Sequence, residues 1–471
     1  MPEADHLAAG DAGDLVGGNS VEALDALERL NAKYCVVQEG GKTRVLSFHS
    51  VTQGSHERLV PTFQSFQDFR NFFLNKTVRE GNKTLSLGAW WLRHPDRRQY
   101  ESLVFQPGAQ AVDNNQLNLW RGWGVKEQPG DWSLMRLHIE TILAAGDAEA
   151  YDYIIRWIAW SFQNPAERAQ CALVFRGKRG TGKGTLGNAL CRIFGQHGVH
   201  ISSAEHLAGR FNAHLRDATL LFADEAYWPG DKDSEGSLKR LITEPDLFIE
   251  AKGRDGVTVP NMLHVIMASN EDWIIPAGEA ERRYAVFEVS DCKAQNESWF
   301  RPLYTELENG GYGAMLYDLR RMHLGDWHPR QIPQTEALRD QQKRGLKPED
   351  EWWVELLETG TLPNADPSDP SRAVSNEHTR KQSDIYGAVK EVRVKGLYDH
   401  ARSSSPRLKH RSDQALGDYL RQKGCDNSRK VLRCRGWQFP PLLEARAKWE
   451  ERFPGWKWRN PQLLEWTADG E

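Results

Sequence analysis

The segment Gly177-Lys-Arg-Gly180-Thr181-Gly182-Lys183-Gly184-Thr185 constrains this chain more than any other stretch. Glycines spaced this closely ahead of a lysine suit a turn whose successive N–H groups converge on one anion, because only glycine accepts that backbone without strain. The apolar run Cys171-Ala-Leu-Val-Phe175 before it reads as a buried strand, and Thr185 to Phe194 after it reads as a helix. Strand, glycine turn and helix in that order make a phosphate-binding loop, in which the helix offers its positive end and the lysine reaches the β and γ phosphates. Gly177, Gly180, Thr181, Gly182, Lys183, Gly184 and Thr185 are therefore the candidate nucleotide-binding residues, with ATP and Mg2+ as the expected ligands. One departure concerns the metal. The position after the lysine, where a hydroxyl ordinarily ligates magnesium, holds Gly184, and Thr185 follows one place later.

Two further apolar runs end in polar side chains. Thr219-Leu-Leu-Phe-Ala-Asp224-Glu225 reads as a strand that delivers two carboxylates, and at the carboxyl end of a parallel strand these would face the phosphate loop. Asp224 is then the candidate magnesium ligand, with Thr185, and Glu225 the group that polarises the attacking water. His264-Val-Ile-Met-Ala-Ser-Asn270 is a similar run, and the Asn270 amide can hold that water or sense the γ phosphate. Glu281-Arg282-Arg283-Tyr284 follows, leading into the strand-like Ala285–Val289. An arginine there can stabilise transition-state charge on a neighbouring subunit's nucleotide, with Arg283 preferred over Arg282. The plainer reading is a surface ion pair with Glu279 or Glu281.

These elements, in this order, resemble the superfamily 3 helicases, AAA+-like ring motors of viruses, phages and plasmids. The likeness is to the helicase half of phage and plasmid primase-helicases, the primase-polymerase type of a deep-sea vent phage included. It extends from about Tyr153 to Asp291 and takes in Phe211-Asn-Ala-His-Leu215, Leu241-Ile-Thr-Glu-Pro245 and Ile249-Glu-Ala-Lys-Gly-Arg-Asp-Gly256. The resemblance implies an α/β phosphate-loop NTPase core and ATP-dependent DNA unwinding, 3′-to-5′, by a homo-oligomer, a hexamer. It also implies a use for the hairpin pattern between Leu247 and Pro260, whose basic tip would track single-stranded DNA through Lys252 and Arg254. Two rivals stand beside this reading. A nucleotide kinase would share Gly182-Lys183-Gly184-Thr185 but has no use for Asp224, Glu225 and Asn270. An ATP-switched replication initiator, loader or defence ATPase would use the same motor without processive unwinding.

The chain's 471 residues suffice for several domains. We expect a disordered leader over 1–26, an α+β helicase-associated domain over 27–135, the motor over 136–345, a linker over 346–383, and a basic winged-helix-like domain over 384–471. The leader is Gly-, Ala- and Asp-rich. The linker reading rests on Pro, Ser, Asp and Asn between Thr359 and Ser383. Although the net charge is −4, residues 371–460 carry 21 Lys plus Arg against 10 Asp plus Glu. A helix at Ser412–Arg421 and an alternating strand at Lys430–Phe439 fit a DNA-binding tail, with Arg411, Arg433 and Arg435 as phosphate contacts and Trp437 as either a base-stacking or a core residue. Docking of a replication protein is the other use for that tail.

The region before the motor has no legible chemistry. Its Asp147-Ala-Glu149 lacks a following histidine at a primase-like spacing, so a primase or polymerase activity is expected on a separate polypeptide or outside this sequence. Trp157 and Trp160 fall on an amphipathic helical pattern between Leu134 and Phe162 and read as core or subunit interface. Six dispersed cysteines form no Cys-x2-Cys pair, which argues against a disulfide framework or a structural metal. No apolar run spans a bilayer and no signal-peptide pattern is seen, so the expected location is the cytoplasm of a bacterial host, with a phage or mobile element as the source.

Overall fold

The computed structural model describes residues 15–17, 21–53, 56–80, 83–109, 112–202, 212–225, 232–250, 256–279, 281–366, 368–383, 389–427, 430–431 and 434–468. The chain divides into two compact units, one of residues 1–272 and 285–333, the other of 273–284 and 334–471.

The first unit begins with an α+β region. Leu15–Gly17 pairs in parallel with Thr77–Glu80, and Val21–Lys33 is a helix that buries Ala23 and Ala26, so these parts of the expected leader belong to folded elements. Tyr34–Glu39, Lys42–Gln53 and His56–Gln64 form an antiparallel meander, joined by Gln99–Tyr100 on the far edge. Arg58 on the third of these strands is buried, donating to the Gln196 carbonyl at 2.7 Å and to Asp217 Oδ1 at 2.5 Å. A buried guanidinium needs such partners, since its desolvation is otherwise uncompensated. Nearby, Trp120 stacks on His197 at 4.4 Å, and His197 accepts the Arg121 N–H. These contacts tie the α+β region to the parallel sheet that follows.

That sheet contains β1 (Ala172–Arg176), β2 (Gly198–Ile201), β3 (Leu220–Asp224), β4 (His264–Ser269) and β5 (Tyr284–Glu288), in the spatial order β2-β3-β4-β1-β5. The pairs β2 with β3, β3 with β4 and β4 with β1 are parallel. Ala172 to Phe175 and Leu220 to Ala223 are inaccessible to solvent, which is why both read as unbroken apolar runs. Helix α1 (Ser133–His138) continues as a π-turn, and α2 (Ala148–Gln163) starts at Asp147, whose carboxylate caps the Glu149 and Ala150 N–H groups. Asp147 thus does helix-capping work. Trp157 and Trp160 are core residues. Helix α3 (Lys183–Phe194) lies close on β3 because Gly187 has no side chain; a Cβ there would meet the Phe222 ring at 2.5 Å. Helix α4 (Glu297–Glu306) completes the surroundings of the glycine turn.

In the second unit, α5 (Pro348–Thr359) has proline at its first position and three carboxylates in its first turn, and ends at Gly360 with φ 65°. Then come β6 (Asp369–Val374), α6 (Leu397–Ser404), α7 (Asp413–Gln422), β7 (Lys430–Val431), β8 (Cys434–Gln438) and α8 (Leu442–Arg452). Strand β8 lies between β6 and β7 and pairs antiparallel with both. Two expectations change here. Residues 346–383 are no simple linker, because Trp352, Trp353, Leu362 and Ala373 are buried in the core of this unit. Lys430–Phe439 is not one strand: Lys430 pairs with Arg435 and Val431 with Cys434. Among the described residues, all six cysteines are free, no group of His, Cys, Asp and Glu is arranged to hold a metal, and no helix is long and apolar enough to cross a membrane.

Candidate functional site

The glycine turn joins β1 to α3, and its geometry depends on glycine at two positions with left-handed backbone, Gly180 (φ 73°) and Gly182 (φ 91°). At Gly182 space is equally decisive. A Cβ would stand 2.6 Å from His138 Cε1 and 2.7 Å from Phe300 Cε1. His138 Nε2 donates to the Gly182 carbonyl at 3.1 Å, while its Nδ1 accepts from Trp299 Nε1 at 3.2 Å. Burial, against that carbonyl bond, pushes the His138 pKa down to about 4, so the ring is a neutral strut behind the turn. Nothing in the sequence pairs His138 with residues so far along the chain; this support was not foreseen.

Lys183 opens α3 and is 7% exposed. Its ammonium donates to the Gly177 carbonyl, the Lys178 carbonyl and Asn270 Oδ1, each at 2.7 Å. Burial lowers its pKa, opposed by the charges of Asp224, Glu225 and Glu288. Asn270 follows β4 and donates through Nδ2 to Glu225 Oε1 at 2.9 Å. One hydrogen-bonded line therefore runs from Lys183 through Asn270 to Glu225, across the carboxyl ends of three neighbouring strands. Glu225 holds a left-handed backbone (φ 55°), a strained conformation for a non-glycine residue, pinned by its N–H to the Ala268 carbonyl at 2.8 Å. Asp224 Oδ2 lies 3.7 Å from His200 Nε2. The Thr185 hydroxyl lies 3.1 Å from that of Tyr304, a half-exposed residue of α4 that the sequence did not single out. A cavity of about 430 Å³ opens over the loop, lined also by Asn188, Asp224, Glu225 and Asn270.

The other candidates lie elsewhere. Arg282 and Arg283 belong to the second unit. Arg282 is exposed, and Arg283 Nη1 is 3.6 Å from the buried Glu281 carboxylate, which also accepts both arginines' N–H groups. Glu279 pairs instead with Arg452. The hairpin flanking the basic tip is present, Asp246–Ile249 pairing antiparallel with Val257–Pro260, whereas Lys252, Arg254 and Arg433 lie outside the described residues. Arg411 Nε is 2.6 Å from Glu349, and Arg435 is exposed on β8. Trp437 is core, 1% exposed, with its indole N–H donating to Tyr398; base stacking is closed to it.

Residues 175–283 match a family of unknown function (DUF5906). Over 174 residues the chain is 30% identical to the DNA primase-polymerase of Nitratiruptor phage NrS-1, covering 36% of this chain and 24% of that protein. The chain thus spans about a quarter of the relative's length. Two apo structures of the NrS-1 C-terminal region align with 70% of this chain and with 80% and 79% of theirs, at 19% and 20% identity and TM-scores of 0.53 and 0.51. The mixed α/β fold with its parallel sheet is therefore similar to that of the NrS-1 C-terminal region.

Proposed function

We propose that the chain is a phosphate-loop NTPase of the superfamily 3 helicase type, an ATP-dependent, ring-forming DNA helicase that serves replication of a phage, plasmid or other mobile element. The observation that carries this reading is the line Lys183–Asn270–Glu225, which joins the phosphate-loop cation, a polar sensor and a carboxylate. In phosphoryl transfer, positioning and charge neutralisation supply most of the catalysis. The loop N–H groups and Lys183 would hold the β and γ phosphates. Glu225 would accept a proton from, or orient, the attacking water, and Asn270 would register whether the γ phosphate is present, because its amide already touches both partners. Asp224 and Thr185 line the loop cavity and fit a hard cation through oxygen donors. Magnesium bound there would neutralise charge on the phosphates.

Relation to a phage primase-polymerase supports a replication role, with DNA as substrate and a separate primase or polymerase as partner. In the second unit α6 and α7 precede the antiparallel pair β7 and β8, an arrangement compatible with a winged-helix-like domain, and this supports DNA contact by Arg411 and Arg435. Arg283 would act on a neighbouring subunit's nucleotide, which makes activity depend on a ring. Strand displacement on forked duplex DNA with ATP and magnesium, comparing wild type with Lys183→Ala, tests the reading. Unwinding by wild type alone supports it. DNA-stimulated ATP hydrolysis without strand release would transfer the motor to initiation or loading.

A further inference from the structure

The hydroxyl usual after the phosphate-loop lysine is absent at Gly184, and the surroundings of that glycine are specific. A Cβ at Gly184 would stand 3.5 Å from Asp224 Oδ2 and 3.6 Å from Asn188 Nδ2. The carboxylate comes from the end of β3, the carboxamide from one turn further along α3, where residues four apart share a face. Both therefore border the ground that a hydroxyl-bearing side chain at 184 would occupy. The Thr185 hydroxyl, one place later, lies 3.1 Å from that of Tyr304 and keeps a lone pair for a cation, but it stands outside the ground left bare at Gly184. The Asn188 carboxamide is half-buried, lines the same cavity as Asp224, and makes no hydrogen bond to any described residue. An uncommitted amide beside a carboxylate, in a cradle left by a missing side chain, is suited to oxygen-donor ligation.

We propose that Asn188 replaces the missing hydroxyl, its carboxamide oxygen joining Asp224 as a donor to the magnesium of a bound Mg–nucleotide; this rests on the nucleotide-binding reading above. Half a turn about the terminal torsion exchanges Nδ2 for Oδ1 at that point with the backbone unmoved. Magnesium takes oxygen ligands and is commonly held by one or two carboxylates together with phosphates and water. A neutral amide completes such a set without adding a negative charge to compete for Lys183. The substitution is reciprocal: Gly184 leaves room for Asn188 to reach the site, and a side chain at 184 would fill that room.

The test is the affinity of the full chain for a fluorescent, non-hydrolysable ATP analogue, measured by anisotropy with and without magnesium. Wild type, Asn188→Ala, and the double variant Asn188→Ala with Gly184→Ser are compared. In Asn188→Ala the tightening that magnesium confers falls by about tenfold, the scale of losing a supporting metal contact, while magnesium-free affinity stays at the wild-type value. Gly184→Ser restores the tightening in the double variant, because its hydroxyl enters the vacated ground. Full magnesium tightening in Asn188→Ala, an equal loss with and without magnesium, or no recovery in the double variant would each overturn the proposal. Failure of the nucleotide reading is distinct, since wild type would then bind no analogue under either condition.

Discussion

Lys183 and Lys423 are both largely buried amines, one in each unit, and their surroundings are opposite. Lys423 Nζ lies 2.8 Å from Asp350 Oδ1, and that carboxylate also takes Arg452 and the Tyr419 hydroxyl. Burial alone would raise the Asp350 pKa, but hydrogen bonds from Arg452 and Lys423 outweigh it and hold the group at about 2. Lys183 touches only neutral oxygens, two carbonyls and an amide. Its carboxylate neighbours act on it through space, with no direct hydrogen bond. The first arrangement is a closed charge cluster that holds helices together. The second leaves a buried positive charge with neutral partners that only partly compensate it, as a site meant for an anion would. The same residue type is thus neutralised by a carboxylate in one unit and held by neutral oxygens in the other.

Substitutions at the two clusters should therefore separate function from stability. Lys183→Ala is expected to lower nucleotide turnover by about a thousandfold or more, as removal of a phosphate-clamping charge does, with the melting temperature little changed. Asp350→Ala should cost about 3 kcal/mol of stability, because it strands the largely buried Lys423 while Arg452 keeps Glu279, and leave turnover per folded molecule intact. Steady-state hydrolysis and thermal melts of both variants check this. If Lys183→Ala melts early, or Asp350→Ala folds normally and loses turnover, the contrast is broken.

Arg283→Ala sharpens the contrast from a third position. Its guanidinium is 3.6 Å from the Glu281 carboxylate and, at 31% exposure, more open than either lysine. Retained nucleotide binding with turnover lowered by about a thousandfold is expected of an arginine acting in trans. Normal hydrolysis in that variant would return Arg283 to the role of an ion pair with Glu281.

The strands, the glycine turn and its helix were legible because each has a local signature. Buried parallel strands are short apolar runs, and the runs ending near Arg176, Asp224 and Asn270 were placed to within a residue or two. That these ends converge was an inference from topology, and the hydrogen bonds between them have no local signature at all. His138, Phe300 and Tyr304 reach the turn from helices far away in sequence, so no spacing rule finds them. Asn188 was within reach, since it lies one helical turn beyond Gly184, but only the bare glycine beside it gives the amide meaning. The linker was misread for a related reason: Pro, Ser and Asp are frequent in loops, and only the contacts of Leu362 and Ala373 reveal that strands run between them.

Acid should also tell the units apart. His138, His197 and His264, all in the first unit, are held near pKa 4 chiefly by burial, against an ordinary value near 6.5. His197 is a clear case, because its ring accepts one N–H from Arg121 while its other nitrogen donates to the Asp217 carbonyl, leaving no acceptor for a second proton. The folded ring stays neutral while the unfolded chain takes up a proton below about 6.5, so stability is lost as pH falls from there toward 4 and levels off below. Each histidine contributes on the order of 1.4 kcal/mol per pH unit within that window. The Asp350 cluster also weakens with acid, but in a lower window. Its carboxyl is depressed from 3.8 to about 2, so its contribution is constant above 4 and is lost only as pH drops through 2. Peptide-resolved hydrogen exchange at pH 7 and 5 should show the first unit losing protection and the second keeping it; equal loss would place the acid sensitivity elsewhere.

The smallest expected effect lies on the basic face of the second unit and turns again on whether a cation is already paired. Arg411 is held by Glu349 at 2.6 Å, whereas the exposed Arg435 side chain has no ion-pair or hydrogen-bond partner among the described residues. A DNA phosphate must displace a carboxylate from the first but meets the second unopposed. Arg435→Ala should therefore weaken single-stranded DNA binding and reduce the salt dependence by about one phosphate contact, a slope change of roughly 0.7. Arg411→Ala should change it less, because the pairing with Glu349 already consumes most of its field. Titrations of DNA affinity against salt for both variants decide the order. If Arg411→Ala has the larger slope change, its ion pair is a latch that opens on DNA, and a cation already paired is no longer one out of use.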